Sequence, residues 1–460
     1  MKKVLSALAA MTMLVAAASC GTSNGDTGNS DAGASSGSSS KSGKTTINVM
    51  TFTNEVPGMI EKYMELHPEF GEKYEINPTV IATTDGLYQP ALDQALAAGG
   101  KDAPDIYCAE SAFVLKYTQG DASGYAAPYK EFIPDVDSKI KEADLAPYAV
   151  DIGTNTNGDV VGLGYQATGG AFIYRRSIAK DVFGTDDPQT VQKEIGPGWD
   201  KFFSAAEKLK DKGYGIVSGD GDIWHAVENS SDTGWIVGGE LNIDPKREEF
   251  LDLSKRLKDS KFHNDTQDWT EAWYADMAGT GDKPIFGFFG PAWLINYTMA
   301  GNSGGTKPGE GTYGDWAVCE SPVGFFWGGT WLLANKDSDK KDAIGELFDW
   351  ITLNCTKDGL QYMWANGLMS DKGTKDAVAS GVVMSMSDGS VDFLGGQNMF
   401  DVFIPANNYA NGKNLTQYDE TINKYWRDQV RQYTSDQKSR DEAIQAFKQQ
   451  VADNLSVTVK

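Results

Sequence analysis

The stretch Phe325-Phe326-Trp327-Gly328-Gly329-Thr330-Trp331 sets four aromatic rings around a glycine pair. Indole faces stack on apolar C–H surfaces such as those of a pyranose ring, while polar neighbours take the hydroxyls. Glycine lets a ligand approach the backbone closely. Trp327, Gly328 and Gly329, with Trp331 beside them, are therefore candidates for a binding platform. Eleven of the twelve tryptophans fall between residues 199 and 364, a density that a core alone does not require. Trp224 and Trp293, each following a strand, join the candidates. Trp199 and Trp350 lie on apolar helix faces and read as core.

Catalytic patterns match on paper and fail in context. GNSGG (301–305) fits GxSxG but sits in a Gly/Pro loop, not a strand-to-helix elbow. GLGYQA (162–167) fits a dinucleotide fingerprint, yet TGGAFIY follows it where a helix is required. DGD at 220–222 is too short for a calcium loop. The three histidines, His67, His225 and His263, form no HExxH pattern. No metal, cofactor or catalytic residue is expected. Paired carboxylates among 64 acidic residues keep a glycoside hydrolase open as an alternative.

These candidates need elements to hold them. TTINVMTF (45–52) reads as a buried strand, with Asn54 and Glu55 after it and a helix beyond. Residues 77–83 read as a second strand and LYQPALDQALAAGG as a helix stopped by Gly99–Gly100. APDIYCAES (103–111) reads as a third strand, ending on Glu110 and Ser111. Strands alternating with helices imply a parallel sheet whose ligands gather beyond the strand carboxyl ends. Asn54, Glu55, Glu110 and Ser111 fall there, as acceptors for hydroxyl groups. Asn157–Gly158 marks a turn. VVGLGYQATGGAFIYRR reads as a long extended passage carrying Tyr165 and Gln166. Trp199, Phe202, Phe203, Ala206 and Leu209 mark an amphipathic helix. YGIVSGDGDIWHAVENS reads as strand then loop, and residues 283–299 as strand, turn and helix bearing Trp293. Helices follow from Asp342 and over Ile444, Phe447, Val451 and Leu455. Asn408, in FIPANNYA, is a further candidate from the C-terminal part.

The chain starts MKKVLSALAAMTMLVAAASCG: a basic start, an apolar run from Val4 to Ala18, then small residues before Cys20. That is a signal peptide, residues 1–19, too short to read as a spanning helix. The run into Cys20 resembles a bacterial lipobox, with Ala17 where Leu is usual, which makes Cys20 the lipidated first residue of the mature chain. Residues 20–44 are Gly/Ser-rich and read as a tether. The body has Cys108, Cys319 and Cys355 without CxxC spacing; one bridge is open, and buried free thiols are the expectation. At 460 residues two or more domains are expected. A net charge of −23 repels phosphate backbones, so nucleic acid is excluded as a partner, and neutral or cationic ligands are favoured.

Taken in order, the lipobox and tether, DAPDIYCAES, VVGLGYQATGGAFIYRRSIAKDVFG, PGWDKFFSAAEKLKDKGYG, FGFFGPAWLINY and GDWAV…PVGFFWGGTWLLANK resemble the family 1 extracellular solute-binding proteins of carbohydrate ABC importers, the maltose-binding-protein-like group. The resemblance implies an α/β, two-lobed type II periplasmic-binding-protein fold, each lobe a mostly parallel sheet flanked by helices, with hinge crossings. By analogy residues 45–165 and 328–370 form the first lobe, and 166–327 and 371–460 the second. Crossings are implied near Gln166–Thr168, near Phe325–Gly328, where FFWGG would be a crossing strand, and around Ser370. The function implied is a monomeric, lipid-anchored, non-enzymatic receptor on the outer face of the cell membrane. It binds a neutral carbohydrate, an oligosaccharide above all, between the lobes and delivers it to a permease served by a cytoplasmic ATPase. The alternatives are the surface glycoside hydrolase and a lipoprotein adhesin that binds no sugar.

Overall fold

The computed structural model describes residues 43–83 and 86–460. The signal peptide, Cys20 and nearly all of the tether lie outside the described residues. Among the described residues no helix is long and apolar enough to cross a membrane.

Among the described residues ten strands form three sheets: β1 (Thr45–Thr51), β2 (Tyr74–Val80), β3 (Ile106–Glu110), β4 (Gly162–Gly164), β5 (Ala171–Arg175), β6 (Ile236–Val237), β7 (Glu240–Leu241), β8 (Gly287–Gly290), β9 (Trp316–Cys319) and β10 (Thr330–Ala334). The largest has the order β2-β1-β3-β10-β4, a second the order β8-β5-β9, and β6-β7 is a small hairpin. In the largest sheet β1 runs parallel to β2 and β3, as the alternation of strand and helix demands. β10 is antiparallel to both β3 and β4. In the second sheet both pairings are antiparallel. The expectation of mostly parallel sheets therefore holds only for β1–β3. The antiparallel pairs, β5 with β8 and β9 and β10 with β3 and β4, join segments far apart in the chain, and local periodicity does not encode the direction of such pairings.

The chain leaves the large sheet after β4 and enters the second at β5 through residues 165–170; it returns between β9 and β10. The FFWGG segment on that return is not a strand. Only Phe326 makes a bridge there, to Gly169, and β10 begins at Thr330. Gly328 and Gly329 have φ of 78° and 112°, left-handed values that β-branched or bulky residues avoid and that break a ladder.

The segment after Gly219, read from sequence as a loop, is a helix over Asp220–Ser230. Its start is held by Asp222, whose carboxylate accepts the backbone N–H groups of Ser218 and Gly219, both at 3.0 Å. The turn-like DGD is thus a helix N-terminus. The second strand runs over 74–80 and not 77–83. The helix over Trp199–Asp211 buries Phe202, Phe203, Ala206 and Leu209, as their spacing requires. Cys108 and Cys319 are buried, Cys355 is half-buried, and all three are free thiols.

Candidate functional site

Sheet register decides which residues meet. Strand β1 ends at Thr51 and delivers Phe52, Thr53 and then Glu55, the first residue of the helix Glu55–Leu66. Strand β3 ends on Glu110, directly opposite Thr330 at the start of β10. The chain therefore presents Glu55, Glu110 and the Gly328–Gly329 pair along one edge of the large sheet. From the second sheet, β8 ends at Gly290 and turns through Pro291 into a short helix bearing Trp293. These edges border a cleft of about 610 Å³, within the range of small-molecule sites.

Its floor is aromatic. Trp293 donates its indole N–H to the carbonyl of Trp327 at 3.0 Å, and a Cβ at Gly328 would lie 3.2 Å from that same indole, a tight approach. Trp269 and Trp293 are nearly parallel, 8° apart with centroids 6.3 Å apart. Trp327 stands at 62° to each, at 6.0 and 4.7 Å. Three indoles thus make a three-sided box. Trp269 has a φ of 65°, an uncommon conformation for a residue with a side chain. Behind Trp327, the imidazole of His225 stacks at 3.5 Å and 13°.

Next to this box Arg427 grips Asp268 through two nitrogens, at 2.7 and 3.3 Å, and His225 Nε2 lies 3.4 Å from the same carboxylate. Burial raises the pKa of Asp268, but the guanidinium and the imidazole outweigh it and hold the carboxylate well below the usual range. Burial also lowers His225, only partly offset by Asp268.

The other end of the cleft holds Glu55 and Asp376. Burial pushes Glu55 up to about 7, although Tyr165 donates its hydroxyl to it. Burial and the charge of Glu55 push Asp376 up to about 8. Asp376 accepts the backbone N–H of Ala377 at 2.7 Å and the amide of Gln166 at 3.4 Å. Glu110 is raised by burial, against bonds from Ser111 Oγ at 2.8 Å and Ala112 N at 2.7 Å. Glu420 is pushed up to about 7 by burial and the charge of Glu110.

Of the residues singled out from sequence, Glu55, Glu110, Gln166, Trp293, Trp327, Gly328 and Gly329 line the cleft. Tyr165 and Ser111 stand behind it, holding Glu55 and Glu110. The others are elsewhere. Trp224 is 1% exposed and packs on Phe250 at 4.8 Å, because the segment bearing it is a helix that turns this ring into the core. Trp331 is 1% exposed, with its indole N–H on the Ala149 carbonyl at 2.8 Å; strand alternation points it away from the cleft. Phe325 and Phe326 are fully buried. Asn54 is exposed before the first helix and Asn408 is exposed on the surface, neither lining the cleft. Sequence reasoning missed Asp268, Trp269, Arg427, Tyr297 and Asp376. One signal was available for Arg427: it adjoins the stripe Ile422, Trp426, Val430, whose members are buried, so it sits at the rim of an apolar face.

The description "Bacterial extracellular solute-binding protein" belongs to the family that matches residues 52–354. The chain belongs to that family. No curated sequence matches it. Solved structures share the fold of this solute-binding protein. The galacto-N-biose/lacto-N-biose I-binding protein of the ABC transporter from Bifidobacterium longum, in complex with lacto-N-biose, is 18% identical with a TM-score of 0.67, covering 91% of this chain and 99% of that one. Maltose-bound MalE3 of T. maritima is 14% identical with a TM-score of 0.62, covering 89% and 100%. The ABC substrate-binding protein Lmo0181 from Listeria monocytogenes, in complex with cycloalternan, is 16% identical with a TM-score of 0.62, covering 89% and 98%. The family and these neighbours are solute-binding proteins and not enzymes.

Proposed function

We propose that this solute-binding protein is the receptor of an ABC importer, takes a carbohydrate into the indole-lined cleft and hands it to membrane permease subunits. The observation that carries the reading is the box of Trp269, Trp293 and Trp327 bordered by buried carboxylates. Flat apolar faces flanked by hydrogen-bond acceptors match the two-faced chemistry of a sugar. The sugar complexes among the structural neighbours support the same class. A cleft of about 610 Å³ has room for an oligosaccharide.

The receptor works as a monomer held to the outer face of the membrane by lipid on Cys20. Its lobes are 45–165 with 328–370, and 166–327 with 371–460, and they close about the crossings on binding. Closure converts occupancy into a shape that a permease can distinguish. Calorimetric titration of the purified protein with mono- and oligosaccharides tests the ligand class. Binding of at least one saccharide, abolished in Trp327→Ala, is the expected result; silence across a broad panel overturns it. Replacing Cys20→Ala is expected to move the protein from the membrane to the soluble fraction. Retention on the membrane would remove the lipid anchor from the account.

A further inference from the structure

Resting on the carbohydrate reading, we propose that the Glu55–Asp376 end of the cleft receives a basic nitrogen, so that the preferred solute is an amine-bearing saccharide and not a neutral one.

Five carboxylates line the cleft: Glu55, Glu110, Asp268, Asp376 and Glu420. Arg427 is the one Arg or Lys among the described lining residues, and it is committed to Asp268 at 2.7 Å. Lys375, adjacent to Asp376 in the chain, turns away: its ammonium donates to the carbonyls of Asp388 and Ser390 at 2.7 and 3.0 Å. The groups facing Glu55 are Tyr165, Tyr297, Cys108 and Asp376, and those facing Asp376 are Glu55, Gln166, Trp364 and the Ala377 N–H. None is a cation. Two buried acids are thus left to share one end of the cavity with no internal counter-charge.

A hydroxyl donates one hydrogen bond and adds no positive charge that would hold the acid pair ionised. An ammonium supplies several N–H donors and cancels one charge, and charge-assisted bonds of this kind are about twice as strong as neutral ones. The aromatic surround fits the same group. Tyr297 is 61% exposed beside Trp293 at 6.3 Å, and ring faces attract a cation. Burial raises both acids, the charge of Glu55 raises Asp376 further, and no neighbouring cation lowers either.

Calorimetry at pH 7, in two buffers of different ionisation enthalpy, separates the possibilities. The probes are glucosamine, galactosamine and chitosan disaccharide against glucose, galactose and cellobiose. The amine-bearing probes are expected to bind about tenfold tighter, with release of about one proton from the carboxyl pair. Glu55→Gln with Asp376→Asn is expected to abolish that preference and the proton release, so that amine-bearing and neutral probes bind within about twofold of each other. Neutral probes binding as tightly as the amines, or amine binding without proton release, overturns the inference and leaves the carbohydrate reading standing. Silence of all six probes overturns the inference, and only silence across the broad saccharide panel overturns the carbohydrate reading as well.

Discussion

Two buried aspartates border the same cleft and are in opposite states. Asp268 is held ionised, far below the usual carboxylate range, and Asp376 is pushed up to about 8. Burial acts on both in the same direction. The difference is the partner set: Arg427 reaches Asp268 at 2.7 Å with His225 Nε2 at 3.4 Å, while Asp376 meets an amide, a backbone N–H and the charge of Glu55. Desolvation alone sets no ionisation state. The nearest counter-charge decides it, and a binding cleft can carry a fixed charge at one end and a proton reservoir at the other.

Removing that counter-charge gives the largest expected effect. Arg427→Met leaves the buried Asp268 with His225 alone beside it, and chemical denaturation is expected to show a loss of about 3 kcal/mol. A loss within error of zero would mean that the ion pair does not govern this end. The second effect concerns pH. Asp376 and Glu55 have folded pKa values raised above their unfolded ones, so between about 4 and 8 the folded state binds more protons and stability falls as pH rises. Asp268 has the opposite sign: its contribution is present above the unfolded pKa and is lost as pH drops below it. Asp376→Asn is therefore expected to flatten the decline between pH 5 and 8, by up to about 1.4 kcal/mol per pH unit, and to leave the acid limb unchanged. An unaltered slope in denaturation midpoints against pH would break the contrast. The smallest effect is on the platform. His225→Ala removes the ring stacked behind Trp327 and is expected to weaken saccharide binding about threefold, whereas His225→Phe restores it. Equal affinity in both variants would sever the link between the Asp268–Arg427 end and the indoles.

The elements with strong periodicity were legible in the sequence: β1, β3, the helix over Trp199–Asp211 and the C-terminal helix, where Phe447 and Val451 are buried. The edge residues Glu55 and Glu110 were legible because chain order places them at strand ends. What failed depended on pairing across distance. Asp268 and Arg427 lie 159 residues apart, and no local pattern announces their meeting. Trp224 and Trp327 are both indoles in glycine-bearing segments, yet one fills a core and the other lines the cleft. The DGD segment misled for a different reason: the same short acidic residues that make turns also cap helices, and Asp222 does the latter.

The indole box has a spectroscopic consequence. Its rings stand 4.7 to 6.3 Å apart, close enough for their excited states to interact, and the cavity therefore carries its own optical reporter. A molecule that wedges Trp269 away from Trp293 must alter the intrinsic emission, with no dye attached, so occupancy of the cleft can be followed by light alone.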